Sequence, residues 1–183
     1  MKGLYHFVAV TFLVAGCGTP SQYGVDSPYY HYPNDVRLIL NQSLEIRSDS
    51  ATVRLQYGHV VAPNGVQEQD PYCIFELSTV AGRPQWVKPD EFKVTDVERS
   101  ISTIARADLF PMGGALIPVR IGSSGGPSDY YYKTAFYLHS DSQPSVFRMT
   151  CQSNQNYTPQ KRYLTVAEIR QALGSIFKLS LPS

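Results

Sequence analysis

The nearest thing to a chemical motif in this 183-residue chain is Gly122-Ser123-Ser124-Gly125-Gly126. Around Ser124 it satisfies Gly-x-Ser-x-Gly, the pattern of a nucleophile held on a sharp strand-to-helix turn. The next residues are Pro127 and a run of tyrosines with strand character rather than a helix, so the default reading is a flexible loop. Outside the first sixteen residues, a base for Ser124 would have to come from His31, His59 or His139, and none of these sits in a recognisable context. The same histidines are too scattered to read as metal ligands, and no metal site is expected. Neither a Walker-type phosphate loop nor a metalloprotease helix motif occurs. Asp90-Glu91 falls in a turn, where solvated charge is the simpler account, and Glu76 sits in a strand-like run whose polar side would face water. No catalytic residue and no cofactor are therefore assigned. Ser124, as the nucleophile of a serine hydrolase, is the alternative.

Tyrosine is the more suggestive residue type. In the stretch Tyr130 to His139, strict alternation puts Tyr130, Tyr132, Thr134, Phe136 and Leu138 on one face and Tyr131 and Tyr137 on the other. One face belongs in the core. The other shows aromatic rings to solvent, to a partner, or to a covering helix. Tyrosine suits interfaces because it offers contact area with a polar tip, so Tyr131 and Tyr137 are the candidate binding surface.

The elements that position these residues read as successive strands. Val36 to Leu40 is apolar, Leu44 to Arg47 alternates, and Ala51, Val53, Leu55 and Tyr57 share a face. Pro63-Asn64-Gly65 marks a turn. Further strands fall around Cys73, at Trp86-Val87, from Phe92 to Val97, from Ala115 to Ile121, and around Cys151, while Ile101 to Leu109 fits a strand or a short helix. Near the C-terminus Thr165-Val166-Ala167-Glu168 has the form of a capping box, and Val166, Ile169, Leu173 and Ile176 recur at helical spacing. That pattern predicts a helix over about 165–177, with Gly174 inside it letting the helix lie close to a sheet. Many short strands and one helix imply a mainly β domain: an antiparallel sandwich or barrel with a C-terminal α-helix, spanning residues 35–183.

The N-terminus carries a different signal. Lys2 precedes an apolar run from Leu4 to Ala15, too short to span a bilayer, which needs about 20 apolar residues. The run ends in Val14-Ala15-Gly16-Cys17, which resembles the lipobox of bacterial lipoproteins. The resemblance implies cleavage of a signal peptide at residues 1–16 and lipidation of Cys17, with the membrane as a partner through that anchor. In such lipoproteins an Asp after the cysteine tends to hold the protein in the inner membrane. Here the position is Gly18, which implies outer-membrane sorting, facing the periplasm. The rest of the chain resembles an uncharacterised envelope lipoprotein family. Residues 17–34, rich in Pro, Gly, Ser and Tyr, read as a tether, although Tyr29-Tyr30-His31-Tyr32 is aromatic for a plain spacer.

Composition narrows the function further. The whole chain has 16 basic and 15 acidic residues; without residues 1–16 it loses Lys2 and becomes formally neutral. A neutral chain without basic runs has no electrostatic basis for nucleic-acid binding. Thirteen Tyr and eight Phe against one Trp, with many β-branched residues, agree with strands. With Cys17 lipidated, Cys73 and Cys151 remain, and in an oxidising compartment such a pair is most simply a disulfide. Two free buried thiols are the alternative. These features together lead to a lipid-anchored, non-catalytic binding or assembly module with a possible envelope protein partner. A serine hydrolase using Ser124 and a small-molecule carrier are the competing readings.

Overall fold

The computed structural model describes residues 23–105, 109–112, 115–118, 128–156 and 158–182. Cys17 and Ser124 lie outside the described residues. The elements in chain order are β1 (Arg37–Leu40), β2 (Leu44–Ile46), β3 (Ser50–Gln56), β4 (His59–Val61), β5 (Tyr72–Ala81), β6 (Gln85–Val87) and β7 (Asp90–Ala105). They continue as β8 (Leu109–Met112), β9 (Ala115–Pro118), β10 (Ser128–His139), β11 (Val146–Asn154), α1 (Val166–Leu173) and β12 (Phe177–Ser180). Eight strands form one antiparallel sheet in the order β12-β1-β7-β10-β11-β5-β3-β4, curled into a half-barrel. The strand pairs β2–β6 and β8–β9 stand as separate two-stranded sheets. The expected fold class, mainly β and antiparallel with one helix near the C-terminus, is the one observed.

The spine is the β7–β10 pair. Its register runs from Ser128 opposite Ala105 to His139 opposite Lys93, with a bulge between Tyr137 and Leu138. This long pairing settles the stretch from Ile101, which local sequence left between strand and helix: strand continues through Ala105 because a partner strand lies along it.

The concave face of the sheet holds the core. Phe75, Phe92 and Phe177 are fully buried there, with ring centroids 6.1 Å apart for Phe75–Phe92 and 5.2 Å for Phe75–Phe177. Each such ring contributes about 2–3 kcal/mol relative to an exposed one. Leu38, Leu55, Phe136 and Met149 join the same cluster, and α1 closes it with Val166, Ile169, Ala172 and Leu173. The capping box forms as expected: the Thr165 hydroxyl accepts from the Glu168 amide at 3.2 Å, and Glu168 Oε2 accepts from the Thr165 amide at 2.8 Å.

The helix is shorter than its periodicity suggests. It ends at Leu173, and Gly174 is its cap, with φ at 57°. Ile176 is buried beyond the helix, where the chain turns to pair β12 with β1. The helical spacing of Ile176 is a coincidence of two burials, one on the helix and one on the path into the strand.

Cys73 and Cys151 are joined by a disulfide. They are direct partners on the adjacent strands β5 and β11, with Cα atoms 4.0 Å apart. The bond thus links neighbours within one sheet rather than two strands facing each other across a core.

The described part of the expected tether, residues 23–34, does not stand free of the domain. Tyr32 is a core residue, only 8% exposed, with its ring 5.0 Å from that of Phe136, and Tyr30 packs beside it. Aromatic rings of this size gain more from burial than a hydrated spacer retains.

Candidate functional site

Two places on the sheet gather polar and aromatic side chains, one on each face. The convex face carries the first. Gln56, at the end of β3, holds the backbone of Gln67 with both ends of its amide: Nε2 donates to the Gln67 carbonyl at 2.8 Å, and the Gln67 N–H donates to Oε1 at 3.0 Å. The side chain thereby imitates a neighbouring strand and lays the segment around Glu68 over the sheet. The Asn154 amide donates to the Glu68 carbonyl at 2.5 Å, and the Tyr131 hydroxyl donates to Glu68 Oε2 at 2.5 Å. Beneath the segment is a cavity of about 220 Å³, walled by Arg54, Glu68, Tyr72, Ile74, Tyr131 and Lys133.

Tyr131 is therefore a cavity wall and not an open binding surface. It is 4% exposed, and the segment around Glu68, rather than the C-terminal helix, covers it. Burial first, then the Glu68 carboxylate, pushes its phenol well above the ordinary range, so the group stays a hydrogen-bond donor. Tyr72 is raised as well, chiefly by burial, and its hydroxyl accepts from the Gln152 amide. Tyr137 belongs elsewhere. Six residues along the strand place it about 20 Å from Tyr131. Its hydroxyl donates to Glu98 at 2.9 Å and its ring meets Phe147 edge-on at 5.6 Å. The two expected partners share a face but not a site.

The concave face carries the second place, at the end of the core beyond Phe136. Arg99 on β7 lies directly opposite Thr134 on β10. Its guanidinium sits between the rings of Tyr32 and Tyr163, 5.6 Å and 5.2 Å from their centroids, and Nη2 donates to the Tyr30 carbonyl at 2.6 Å. Tyr132 supports Tyr163 at 5.3 Å. A cavity of about 160 Å³ opens here, lined by Tyr30, His31, Tyr32, Val97 and Arg99. Burial raises the Tyr32 phenol to about 12, against smaller lowerings by the charge and the close approach of the Arg99 guanidinium, so the hydroxyl keeps its proton. Sequence reasoning noticed the aromatic cluster but missed Arg99, because one arginine in an alternating strand reads as a solvent-facing residue.

The remaining candidates disperse. His31, His59 and His139 are all exposed, and His139 meets Asp141 at 3.1 Å. Among the described residues no three metal-ligating groups come together. Asp90 is more than a solvated turn residue. It accepts from Ser142 at 2.6 Å, Ser140 at 2.7 Å and Gln143 at 3.0 Å, and these bonds hold its carboxyl down at about 2. That fastens the β10–β11 turn to the start of β7. Glu76 is half-buried on the convex face and paired with Arg148.

No protein family, no curated protein and no solved structure matches this chain.

Proposed function

We propose that the chain is a lipid-anchored envelope protein, held at the outer membrane through Cys17 and facing the periplasm, that acts as a non-catalytic binding or assembly module. The observation that carries the binding role is the convex-face cavity. Its walls combine two cations, a carboxylate and aromatic and aliphatic surface, and its tyrosines are committed to structural hydrogen bonds rather than poised to exchange protons. Such a wall suits recognition by shape and charge. Support for the anchor is the lipobox resemblance at Val14-Ala15-Gly16-Cys17.

The binding role is tested with a photo-crosslinking residue at Lys133, on the cavity, and the same residue at Val80, which is 65% exposed and remote from it in the register of β5. A partner crosslinked from position 133 and not from 80, and lost on Arg54→Ala, is the expected result. Identical patterns from both positions would sink the reading. The anchor is tested separately. Cys17→Ser should abolish incorporation of a palmitate analogue and leave an unprocessed precursor; a mutant processed and released normally defeats it.

A further inference from the structure

Arg99 is a cation with a gap in its coordination. The Tyr30 carbonyl is its one hydrogen-bond partner of good geometry among the described residues, with the Tyr32 hydroxyl standing beside it, and no described carboxylate lies within ion-pair distance of it. Its Nε is buried without a partner, and so are the Tyr32 hydroxyl and the Thr134 hydroxyl on the facing strand. Tyr32 is more than nine-tenths buried and Thr134 completely so. Native proteins rarely leave buried polar groups unmade, and two of these, the Arg99 Nε and the Tyr32 hydroxyl, belong to side chains in contact with each other.

This pair has a definite chemistry. An arginine N–H and the Tyr32 hydroxyl can both donate, the guanidinium brings one positive charge, and the flanking rings of Tyr32 and Tyr163 cover it in part. The complement to such a pair is an oxyanion of a single charge. A dianionic phosphate would carry an uncompensated charge into a half-buried place, which is costly, whereas a carboxylate balances Arg99 one for one and accepts at both oxygens. Space agrees. The cavity, about 160 Å³ and open at one side, has room for a carboxylate end. Tyr32 and Arg99 both line that space.

The geometry points to a binding site for a ligand carboxylate, either a small free acid or the C-terminal end of a peptide, held by Arg99 and the Tyr32 hydroxyl. It deepens the binding-module reading by naming a ligand class, yet depends neither on the convex-face cavity nor on Cys17. A role for Arg99 limited to pinning Tyr30 and Tyr32 to the sheet predicts no ligand at all.

The full chain, titrated by NMR with propionate, N-acetyl-dialanine, the C-terminal amide of that dipeptide and inorganic phosphate, distinguishes these cases. The Arg99 Nε–H resonance should move downfield and saturate at millimolar propionate or peptide acid, and not with the amide. Tighter binding of the peptide acid than of propionate assigns the source to chain ends, and the reverse to small acids. Arg99→Gln should weaken binding about tenfold or more, the worth of a charge-assisted bond. Should that variant not fold, Tyr32→Phe removes only the hydroxyl beside the guanidinium, which has no hydrogen bond of good geometry to lose. It should keep or raise the melting temperature while weakening the carboxylate severalfold, a pairing of effects that a structural role does not produce. Overturning results are no shift with either acid, equal shifts with acid and amide, binding of phosphate alone, or unchanged affinity in Tyr32→Phe. Failure of crosslinking at Lys133 would leave these titrations unaffected.

Discussion

Gly58 and Gly174 meet backbone to backbone where the tip of the β3–β4 hairpin touches the end of α1. The Gly58 amide donates to the Ala172 carbonyl at 3.0 Å, capping the helix from outside. Tyr57 and Gly58 both have positive φ, at 52° and 77°, which is what a two-residue hairpin turn of this hand requires. A Cβ built on Gly58 falls 3.1 Å from the Gly174 Cα, and one built on Gly174 would enter the Gly58 backbone.

The two glycines are thus not equivalent. Gly174→Ala meets both a positive φ and backbone it cannot displace, so it should cost about 2–4 kcal/mol of unfolding free energy. Gly58→Ala should cost less, about 1–2 kcal/mol, because its clash is marginal and strain at φ is the main term. Urea unfolding of the two variants checks the order. A Gly174→Ala protein as stable as the parent would mean that the helix end and the hairpin tip are not in contact.

Strand positions were legible because alternation is local. Ala51 to Leu55 and Tyr130 to His139 each declare their faces without help from the rest of the chain, whereas Tyr57, read onto the same face as Leu55, lies beyond β3 in the hairpin turn and is exposed. The capping box at Thr165 and Glu168 was legible for the same reason. The features that escaped depend on neighbours distant in sequence. The packing at the end of α1 involves Gly58, more than a hundred residues earlier, and the strand nature of Ile101 to Ala105 comes from pairing with β10. Arg99 shows the same limit at a candidate site. Nothing in its own strand marks it, since its partners Tyr30, Tyr32, Thr134 and Tyr163 arrive from three other parts of the chain. Tyr131 and Tyr137 illustrate the converse: a shared face was readable, but their separation along the strand and the cover over Tyr131 were not.

The disulfide closes a loop of 78 residues. On the chain-entropy account, opening it releases roughly 4–5 kcal/mol worth of freedom in the unfolded state. Reduction, or Cys73→Ala, should therefore lower the urea midpoint by a large step. The pairing of β5 with β11 should survive, since it rests on the ladder from Arg148 to Gln152 and on buried Phe75 and Met149. Alkylation under reducing and non-reducing conditions counts the two blocked thiols. An unchanged midpoint after confirmed reduction would refute the stabilising role.

Gln56 is fully buried yet polar, and its two hydrogen bonds to the Gln67 backbone fasten the covering segment. Gln56→Ala leaves the Gln67 amide and carbonyl unpaired and should cost about 1–3 kcal/mol. Hydrogen exchange at the Gln67 amide should rise by one or more orders of magnitude while exchange in the β7–β10 pair stays slow. Uniform acceleration over the whole sheet would instead mean that Gln56 supports the fold globally, and that the cover over Tyr131 cannot open by itself.

Glu168 links the helix start to acid sensitivity. Both its oxygens accept from Arg162 at 2.7 Å, and the Thr165 amide and hydroxyl add bonds at 2.8 Å and 2.9 Å. The Arg162 pairing first, then the Thr165 bonds, outweigh burial and hold the carboxyl at about 2, below its ordinary 4.5. The folded value is lower than the unfolded one, so the stabilisation is fully present above about pH 4.5 and is lost as pH falls toward 2. Asp90 acts in the same direction and over a similar window. With solvent screening at the partly exposed Arg162, the Glu168 share is about 1–2 kcal/mol at neutral pH. Glu168→Gln separates charge from capping, because a glutamine oxygen can still accept from the Thr165 amide. It should lower stability at pH 7 by that amount and flatten the decline between pH 4.5 and 2, while leaving the helical signal unchanged. If the variant and the parent lose stability in parallel through that window, the pair with Arg162 is not what makes Glu168 acid-sensitive.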